Sequence, residues 1–402
     1  MSSLRASIAA LGLLITAALG TLPAGAQAAR DPPGFRELRL TFVGDIMGHE
    51  VNYRMRDFRD IYRGVRDVFL AGDLAFANLE LSLDPFRPAA GYPWFNGTRE
   101  YLAAAVDSGI NLFSLANNHA FDGGVEGVLQ TIRALEEARS GSPRPFAYSG
   151  TRGNPARPFD AQAIMVKGVR IGFVAVSQFL NERDEGRYVH VVDYSEPAEA
   201  QAFLAWIRAI APLYDLLIVS YHGDREYVQA PSPAKRSFFR ELLAAGAGIV
   251  VGHHPHVVQE YEIVEAAGER RLAMYSMGNL ISGMTWAEAT SRLGGMLAAT
   301  GESYMLQVDV RCATGGCSVT GAQPIPIANY QDAQMQMVVA RLSDLADGTV
   351  AVSPVWRDYY AARLALMREF LRSATEASRR TGVPFGNTRT GVPVRRVRRL
   401  TH

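Results

Sequence analysis

Cysteine and lysine are both scarce in this chain of 402 residues, which contains 2 Cys and has Lys only at positions 167 and 235. Two cysteines exclude a disulfide-rich scaffold and a zinc site built mainly on thiolates. The formal net charge is only +1, so no basic excess indicates nucleic-acid binding. With 48% hydrophobic residues and balanced charge, the composition excludes bulk disorder. The sequence therefore predicts a globular protein with a sizeable core.

After the first 28 residues, no apolar segment reaches the ~18 residues that a membrane-spanning helix needs. The leader carries Arg5, an apolar stretch from Ile8 to Leu22, and small residues before Ala26 and Ala28. This pattern predicts a secretory signal peptide cleaved near Ala26 or Ala28, rather than an uncleaved anchor. We expect a periplasmic or secreted protein with no transmembrane helix after cleavage.

The two cysteines, Cys312 and Cys317, lie between two alternating apolar runs. In an oxidising compartment this spacing predicts a disulfide that closes a hairpin loop. The alternative is a pair of reduced structural thiols.

Short apolar runs alternate with amphipathic stretches through the first two thirds of the chain, which predicts an α/β fold with covered sheet faces. The predicted strands there are Leu38–Val43, Leu74–Asn78, Leu112–Leu115, Ala163–Val166, Arg170–Val176, Leu216–Tyr221 and Gly248–Val251. Four later strands are predicted at Val257–Val264, Leu272–Ser276, Tyr304–Arg311 and Ser318–Ile327. The predicted helices are Tyr53–Leu70, Arg99–Ser108, Val125–Ala138, Pro197–Ile210, Pro233–Ala244 and Trp356–Ala377.

Three regions are expected along the chain: the leader over residues 1–28, a main domain over 36–328, and a helical C-terminal extension over 329–402 with a basic tail. Two loops, Asp84–Gly97 and Ser140–Pro158, could each line a cleft or simply cross the surface. A third loop, Met284–Gly301, is a candidate mobile flap.

Polar side chains follow five of the predicted strands at the point where each strand ends. They are Asp45; Asn78 and Glu80; Asn118 and His119 with Asp122; His222; and the group His253, His254 and His256. In α/β sheets, ligands bind outside the carboxyl ends of the strands. These groups are therefore expected on one rim, which would hold five of the 8 histidines.

Imidazole and carboxylate together suit Zn, Mn or Fe. His254 and His256 would face the same side of an extended segment, because side chains alternate with period two. A carboxylate such as Glu80 or Asp45 could bridge two ions and so support phosphoryl transfer. Taken singly, Asp45 is also typical of a turn and His222 of a structural histidine.

Six motifs in this order resemble the CapA family of capsule and poly-γ-glutamate biosynthesis proteins, which looks like a branch of the calcineurin-like metallophosphoesterases. The motifs are Gly44-Asp45-Ile46-Met47, Asn78-Leu79-Glu80, Ala116-Asn117-Asn118-His119 with Asp122, His222 with Glu226-Tyr227, Gly252-His253-His254-Pro255-His256, and Tyr275-Ser276-Met277-Gly278-Asn279-Leu280. The resemblance implies a four-layer α/β/β/α sandwich of metallophosphoesterase type.

The resemblance also implies roles for thirteen residues. The implied ligands of one or two divalent ions (Mn, Zn or Fe) are Asp45, Asn78, Glu80, Asn118, His222, His254 and His256. Catalytic roles are expected for His119, Asp122 and Glu226, with His119 protonating a leaving oxygen. Substrate-binding roles are expected for His253, Asn279 and Tyr227.

The chain departs from the phosphoesterase pattern at Met47, where those enzymes have a histidine ligand but the CapA family shares the methionine. It departs from the CapA family at Gly223-Asp224, where that family tends to have Trp-Gly after the site histidine. His49 is expected to be a surface-turn residue, and Asp224 either adds a carboxylate or caps a loop. Two functions stay open: a metal-dependent hydrolase of a phosphoester or γ-glutamyl amide, and a non-catalytic polymer-binding accessory. The expected partners are an anionic polymer or phosphoester substrate and exopolymer synthesis machinery.

Overall fold

Apolar strands and amphipathic helices assemble into two β-sheets with helices against each of them. The computed structural model describes residues 34–266, 268–284 and 298–377. The predicted leader and basic tail, and most of the loop Met284–Gly301, lie outside these described residues. Within the described residues, no helix combines the length and apolar character needed to cross a membrane.

The first sheet has the strand order β14-β13-β12-β1-β2-β3-β4, and β11 pairs with the end of β1. Strands β1 to β4 run parallel, whereas β12, β13 and β14 are antiparallel additions. The strands are β1 (Arg36–Ile46), β2 (Leu74–Leu79), β3 (Leu112–Ser114), β4 (Ala147–Ser149), β11 (Asn279–Ile281), β12 (Glu302–Ala313), β13 (Gly316–Gln331) and β14 (Met337–Arg341).

The second sheet has the order β5-β6-β7-β8-β10-β9, with β6, β7, β8 and β10 parallel. Its strands are β5 (Gln162–Val166), β6 (Val169–Ser177), β7 (Leu216–His222), β8 (Ile249–His253), β9 (Tyr261–Ala266) and β10 (Glu269–Met274).

Helices cover the outer face of each sheet. They are α1 (Glu50–Tyr53), α2 (Arg66–Leu70), α3 (Arg99–Asp107), α4 (Gly124–Gly141), α5 (Pro197–Ile210), α6 (Pro233–Ala244), α7 (Leu342–Asp347) and α8 (Pro354–Ala377).

Strand β6 is a continuous apolar run because both of its faces are buried. Phe173 and Ala175 belong to the core between the two sheets, which also contains Phe76 of the first sheet. Val174 and Val176 point the other way and pack with residues of α5 and α6. A strand buried on both faces needs apolar residues at every position. A third core lies between the first sheet and its helices, so the four-layer α/β/β/α arrangement is confirmed.

The predicted helix Tyr53–Leu70 is wrong, because this segment divides into α1, a 3₁₀ turn (Phe58–Tyr62) and α2. Asp57 starts the new turn by accepting a hydrogen bond from the backbone N–H of Arg59. Gly64 then lies where a Cβ would meet the carbonyl oxygen of Val339 at 2.7 Å, so the chain follows the neighbouring strand.

The residues after position 329 include strand as well as helix. Strand β13 continues to Gln331 and β14 follows it in the first sheet. Helix α8 packs on the sandwich, with Leu364 in the core under the first sheet and Leu371 in the core between the sheets.

The predicted disulfide between Cys312 and Cys317 is present. The two residues are paired across the β12–β13 hairpin, close to its turn. The predicted strand Val257–Val264 begins later, at Tyr261.

Candidate metal centre

The carboxyl ends of β1, β2, β7 and β8 meet at one edge of the sandwich. Asp45 is paired with Asn78 across β1 and β2, and His222 with His253 across β7 and β8. One pair belongs to each sheet, so the site lies where the edges of the two sheets face each other. The structure thus brings the predicted strand-end groups together.

Glu80 occupies the middle of this cluster and is fully buried. Its Oε1 atom lies 3.6 Å from Nε2 of His222 and 3.9 Å from Nε2 of His256. Both imidazoles come from the second sheet, whereas Glu80 follows β2 of the first. The carboxylate therefore reaches across the interface between the sheets.

Three sets of side chains offer ligand atoms that lie within 4.8 Å of one another, the spacing that one ion requires. Glu80, His254 and His256 each belong to two of the sets, and of the three only Glu80 has a carboxylate that could bridge two ions. The sets are Asp45, Glu80 and His256; Glu80, His222 and His254; and Glu226, His254 and His256.

Two carboxylate oxygens in the centre are buried without a hydrogen-bond partner: Oδ2 of Asp45 and Oε1 of Glu80. Buried polar atoms are nearly always paired, so unpaired carboxylate oxygens among imidazoles indicate a place that suits a cation. Both oxygens belong to the shared ligand sets. The donor chemistry and the orphaned atoms therefore fit divalent ions.

Burial sets the protonation of this cluster. Burial raises the pKa of the Glu80 carboxyl well above its usual range, and the nearby Asp45 charge adds to the effect. Burial lowers the pKa of His222 well below its usual value and that of His254 to about 3. Both imidazoles are therefore neutral near pH 7, which is the form that binds a metal.

Asp45 is the ionised member of the carboxylate pair. Burial alone would raise its pKa, but contacts with His253 and His256 outweigh burial and hold the pKa well below the usual value. The closest approach is 2.9 Å, between Oδ1 of Asp45 and Nδ1 of His253. His253 is fully buried, so this predicted substrate-binding residue lies behind Asp45, away from solvent.

The two asparagines predicted as ligands present different atoms to the centre. Nδ2 of Asn78 donates to Oδ1 of Asp45 at 2.9 Å and lies 3.3 Å from Glu80 Oε2. An amide nitrogen is not a metal ligand, so in this orientation Asn78 holds the carboxylates in place. Asn118 instead presents its oxygen, with Oδ1 lying 2.8 Å from Nε2 of His222.

His254 and His256 do not lie on an extended strand, so the period-two argument for their convergence was wrong. Strand β8 ends at His253, and the backbone then bends, with φ of +92° at His254 and +56° at His256. Their rings nevertheless lie with centroids 5.8 Å apart. Left-handed backbone at two non-glycine residues is strained and is typical of functional sites.

His119 and Asp122 form a pair beside the ligand cluster. Nδ1 of His119 lies 2.7 Å from Oδ2 of Asp122, which also accepts a 2.7 Å bond from the backbone N–H of Phe95. The Phe95 ring packs edge-on against the His119 ring at 4.6 Å. These contacts fix the imidazole and leave Nε2 as its second polar atom.

The remaining predicted residues surround His256. Asn279 Oδ1 lies 3.0 Å from Nδ1 of His256, while its Nδ2 donates to the carbonyl of Thr300. Asn279 is fully buried, so it supports the imidazole. Glu226 is exposed and Tyr227 half-buried at the mouth, where Tyr227 lies with its ring centroid 6.2 Å from that of His256.

The loop after β6 contributes residues that the sequence reasoning missed. Asn181 places Nδ2 3.3 Å from Nε2 of His119, and its backbone N–H donates to the carbonyl of Asn118. The Phe179 ring packs edge-on against His254 at 5.0 Å. The signal was available, since Asn181 lies just after the end of a predicted strand.

The departures from the phosphoesterase pattern also have structural outcomes. Met47 belongs to the core under the first sheet. The surface-turn prediction for His49 was wrong: its ring packs on Phe95 and its Nδ1 accepts from the backbone of Gly283. Asp224 caps a loop, because its Oδ2 accepts from the backbone N–H of Ser232.

Residues 39–284 match the family model described as "Bacterial capsule synthesis protein PGA_cap". The chain belongs to this family. The matched range extends from β1 to the end of the described segment after β11 and therefore contains every residue of the candidate metal centre.

Two curated relatives are similar to this member of the PGA_cap family. The capsule biosynthesis protein CapA of Bacillus anthracis is 26% identical over 272 residues, which is 62% of this chain and 61% of the relative. The PGA biosynthesis protein CapA of Bacillus subtilis is 24% identical over 267 residues, 62% of this chain and 64% of the relative. The similarity thus spans less than two thirds of each relative's length.

Solved structures that are similar to this chain include a hypothetical protein from Thermus thermophilus, at 18% identity and a TM-score of 0.43. The match covers 72% of this chain and 98% of that one. The calcineurin-like phosphoesterase YfkN from Bacillus subtilis matches at 12% identity and a TM-score of 0.38, covering 86% of this chain and 100% of that one.

Proposed function

We propose that this chain is an exported, metal-dependent hydrolase that acts in capsule or poly-γ-glutamate biosynthesis. The observation that carries the proposal is Glu80, whose carboxylate belongs to two ligand sets built from both sheets. The orphaned oxygens of Asp45 and Glu80 support it, because a hydrolase of this kind needs anionic ligands in a dry pocket.

The ligands in this proposal are Asp45, Glu80, His222, His254 and His256, with Glu226 at the exposed side and Asn118 as an oxygen donor. Divalent ions held there supply Lewis-acid polarisation of the scissile group and lower the pKa of water.

The chain's own residues then complete the reaction. Asp122 orients His119 through Nδ1, so Nε2 is the atom that transfers a proton to the leaving group. Asn181 contacts the same imidazole from the exposed side. His253 and Asn78 hold Asp45, and Asn279 holds His256, which keeps the ligand geometry fixed.

The test combines metal analysis with a substrate panel. Purified protein is reconstituted with Mn²⁺, Zn²⁺ or Fe²⁺ and assayed on model phosphodiesters, phosphomonoesters and poly-γ-glutamate, beside His254→Ala. A matched control is His190→Ala, which also removes a histidine, but a half-buried one in an aromatic cluster with Phe159 and Trp206. We expect metal-dependent turnover that is lost in His254→Ala and kept in His190→Ala.

A result without turnover on any substrate, or with equal turnover in His254→Ala, contradicts the hydrolase proposal. Polymer binding without turnover would support the alternative, a binding accessory of exopolymer assembly.

A further inference from the structure

Exposed aromatic rings are concentrated around the metal centre. Five aromatic side chains among the described residues are prominently exposed: Phe35, Phe86, Tyr92, Trp94 and Phe179. Three of these lie close to centre residues, and we call Tyr92, Trp94 and Phe179 the aromatic rim. Large exposed apolar groups beside a polar cleft mark a binding surface.

Each rim residue lies near the centre, either through ring contacts or through a shared cavity. The Phe179 ring lies 5.0 Å from that of His254. Tyr92 lies 6.5 Å from the ring of Phe95, which itself packs on His119. Trp94 lines the same cavity as Asp122.

The loop Asp84–Gly97, which carries Tyr92 and Trp94 and is called the rim loop, is held in place while these two rings stay exposed. Asn96, fully buried at its base, donates through Nδ2 to the carbonyls of Asp84, Arg87 and Pro88. The next residue toward the tip, Phe95, donates to Asp122. Because the loop is fixed by buried hydrogen bonds, the exposure of Tyr92 (76%) and Trp94 (53%) belongs to its ordered conformation.

A cavity of about 360 Å³ separates the rim loop from the loop after β6. A hydrogen bond of 2.8 Å from Nε1 of Trp94 to Oε1 of Glu182 joins the two loops. The volume suits one ring-sized unit of a ligand. The lining is Arg87, Trp94, Phe121, Asp122, Gly124, Glu182 and Arg183.

The charges around this cavity cancel, since Arg183 lies 3.3 Å from Glu185 and Arg87 is balanced by Glu182, while the carboxylate of Asp122 is buried against His119. A subsite for a polyanion with one carboxylate per unit would carry an excess of cations. A nucleobase is usually held by stacked aromatic platforms, whereas the one close contact among the rim rings and Phe95 is edge-on, between Tyr92 and Phe95. Exposed aromatic faces beside carboxylates and guanidinium groups suit a sugar ring, whose C–H face packs on the aromatic ring and whose hydroxyls bond the polar groups.

We propose that the aromatic rim is a saccharide-binding subsite of the metal centre, which seats a sugar unit of the substrate beside His119. Cleavage of the substrate at the metal centre rests on the proposed function, whereas saccharide binding by the aromatic rim does not. The bond cleaved would then join a phosphoryl or acyl group to a glycan.

The test measures binding to the full chain, with metal and after chelation, by calorimetry and tryptophan fluorescence. The probes are hexose and N-acetylhexosamine tetrasaccharides, a γ-linked glutamate tetramer and adenosine monophosphate. We expect a tetrasaccharide to bind in both states, and Trp94→Ala or Tyr92→Ala to weaken binding at least tenfold. The matched control is Phe35→Ala, an equally exposed aromatic next to the opposite end of β1 from Asp45.

The proposal is overturned if no saccharide binds, if rim variants bind as tightly as wild type, or if only the glutamate tetramer or the nucleotide binds. Saccharide binding without any turnover would leave the subsite standing and remove the hydrolase. Turnover of poly-γ-glutamate without saccharide binding would do the reverse.

Discussion

Oδ2 of Asp122 lies 2.7 Å from Nδ1 of His119, and the backbone of Phe95 holds the same oxygen in place. If His119 is the general acid, its orientation and tautomer depend on this carboxylate. We expect Asp122→Asn to lower kcat about 10²-fold, within the range that general acid–base catalysis contributes. Metal content should stay at the wild-type level, and Asp160→Asn, at an exposed position, should change neither quantity. A loss of metal in Asp122→Asn would contradict the assignment.

Glu80→Gln tests the shared carboxylate. Burial raises the pKa of Glu80, so in metal-free protein its ionisation in the folded state is unfavourable, and stability falls as pH rises above the ordinary pKa near 4.5. Removing the charge should make the chelated variant at least as stable as chelated wild type at pH 7 to 8. It should also abolish the rise in Tm on adding Zn²⁺ or Mn²⁺.

Thermal unfolding with and without chelator measures both effects. Glu265→Gln, which removes a charge at an exposed position of β9 outside the centre, serves as a control for general charge effects. A Glu80→Gln protein with a wild-type metal response would show that Glu80 is not a shared ligand.

Asn181→Ala tests the residue that the sequence reasoning missed. Its amide nitrogen contacts His119 from the exposed side, and an amide nitrogen is not a metal ligand. We expect a lower kcat, roughly tenfold, with metal affinity unchanged. The control is Asn154→Ala in a surface loop, where the Asn154 side chain accepts a hydrogen bond from the backbone N–H of Ala156. An equal loss of metal affinity would instead make Asn181 part of the ligand shell.

Lys235 gives a prediction for stability against pH. It is fully buried on α6 and donates to the carbonyl of Gly223 at 3.0 Å. Burial lowers its pKa from 10.5 to about 7. Between these values the unfolded chain holds a proton that the folded chain has lost, so rising pH favours the folded state by up to about 1.4 kcal/mol per pH unit.

Urea unfolding of chelated protein at pH 7, 8 and 9 measures this slope. Lys235→Met should remove it, whereas Lys167→Met, at the other lysine, should keep it because that side chain is 57% exposed and paired with Asp73. Identical slopes in wild type and Lys235→Met would contradict the prediction.

Much of the architecture could be predicted from the sequence because it depends on local patterns. Continuous apolar runs such as β7 predicted buried parallel strands, and the polar residues at their ends predicted a common rim. The disulfide could be predicted because only a hairpin turn separates Cys312 from Cys317.

Features that depend on distant contacts could not be predicted. In the segment predicted as helix over Tyr53–Leu70, the cap at Asp57 is a local signal, whereas the close approach of Gly64 to the carbonyl of Val339 is a contact between residues remote in sequence. The positive φ values of His254 and His256 arise from a bend after β8 that has no glycine to mark it. The atom that Asn78 presents to the site depends on Asn117 and Asp45, neither of which its own sequence neighbourhood specifies.

The position of Glu80 between two sheets has a mechanical consequence. Asp45 and Glu80 lie at or just after the ends of strands of one sheet, whereas His222, His254 and His256 lie at or just after the ends of strands of the other, so each ion shared between them would act as a cross-link. Chelation should therefore loosen the sandwich along this edge first, and amide hydrogens near the ends of β2 and β8 should exchange faster while those at the β12–β13 hairpin stay protected. The metal centre would then stabilise the packing of the two sheets at this edge, in addition to its chemical role.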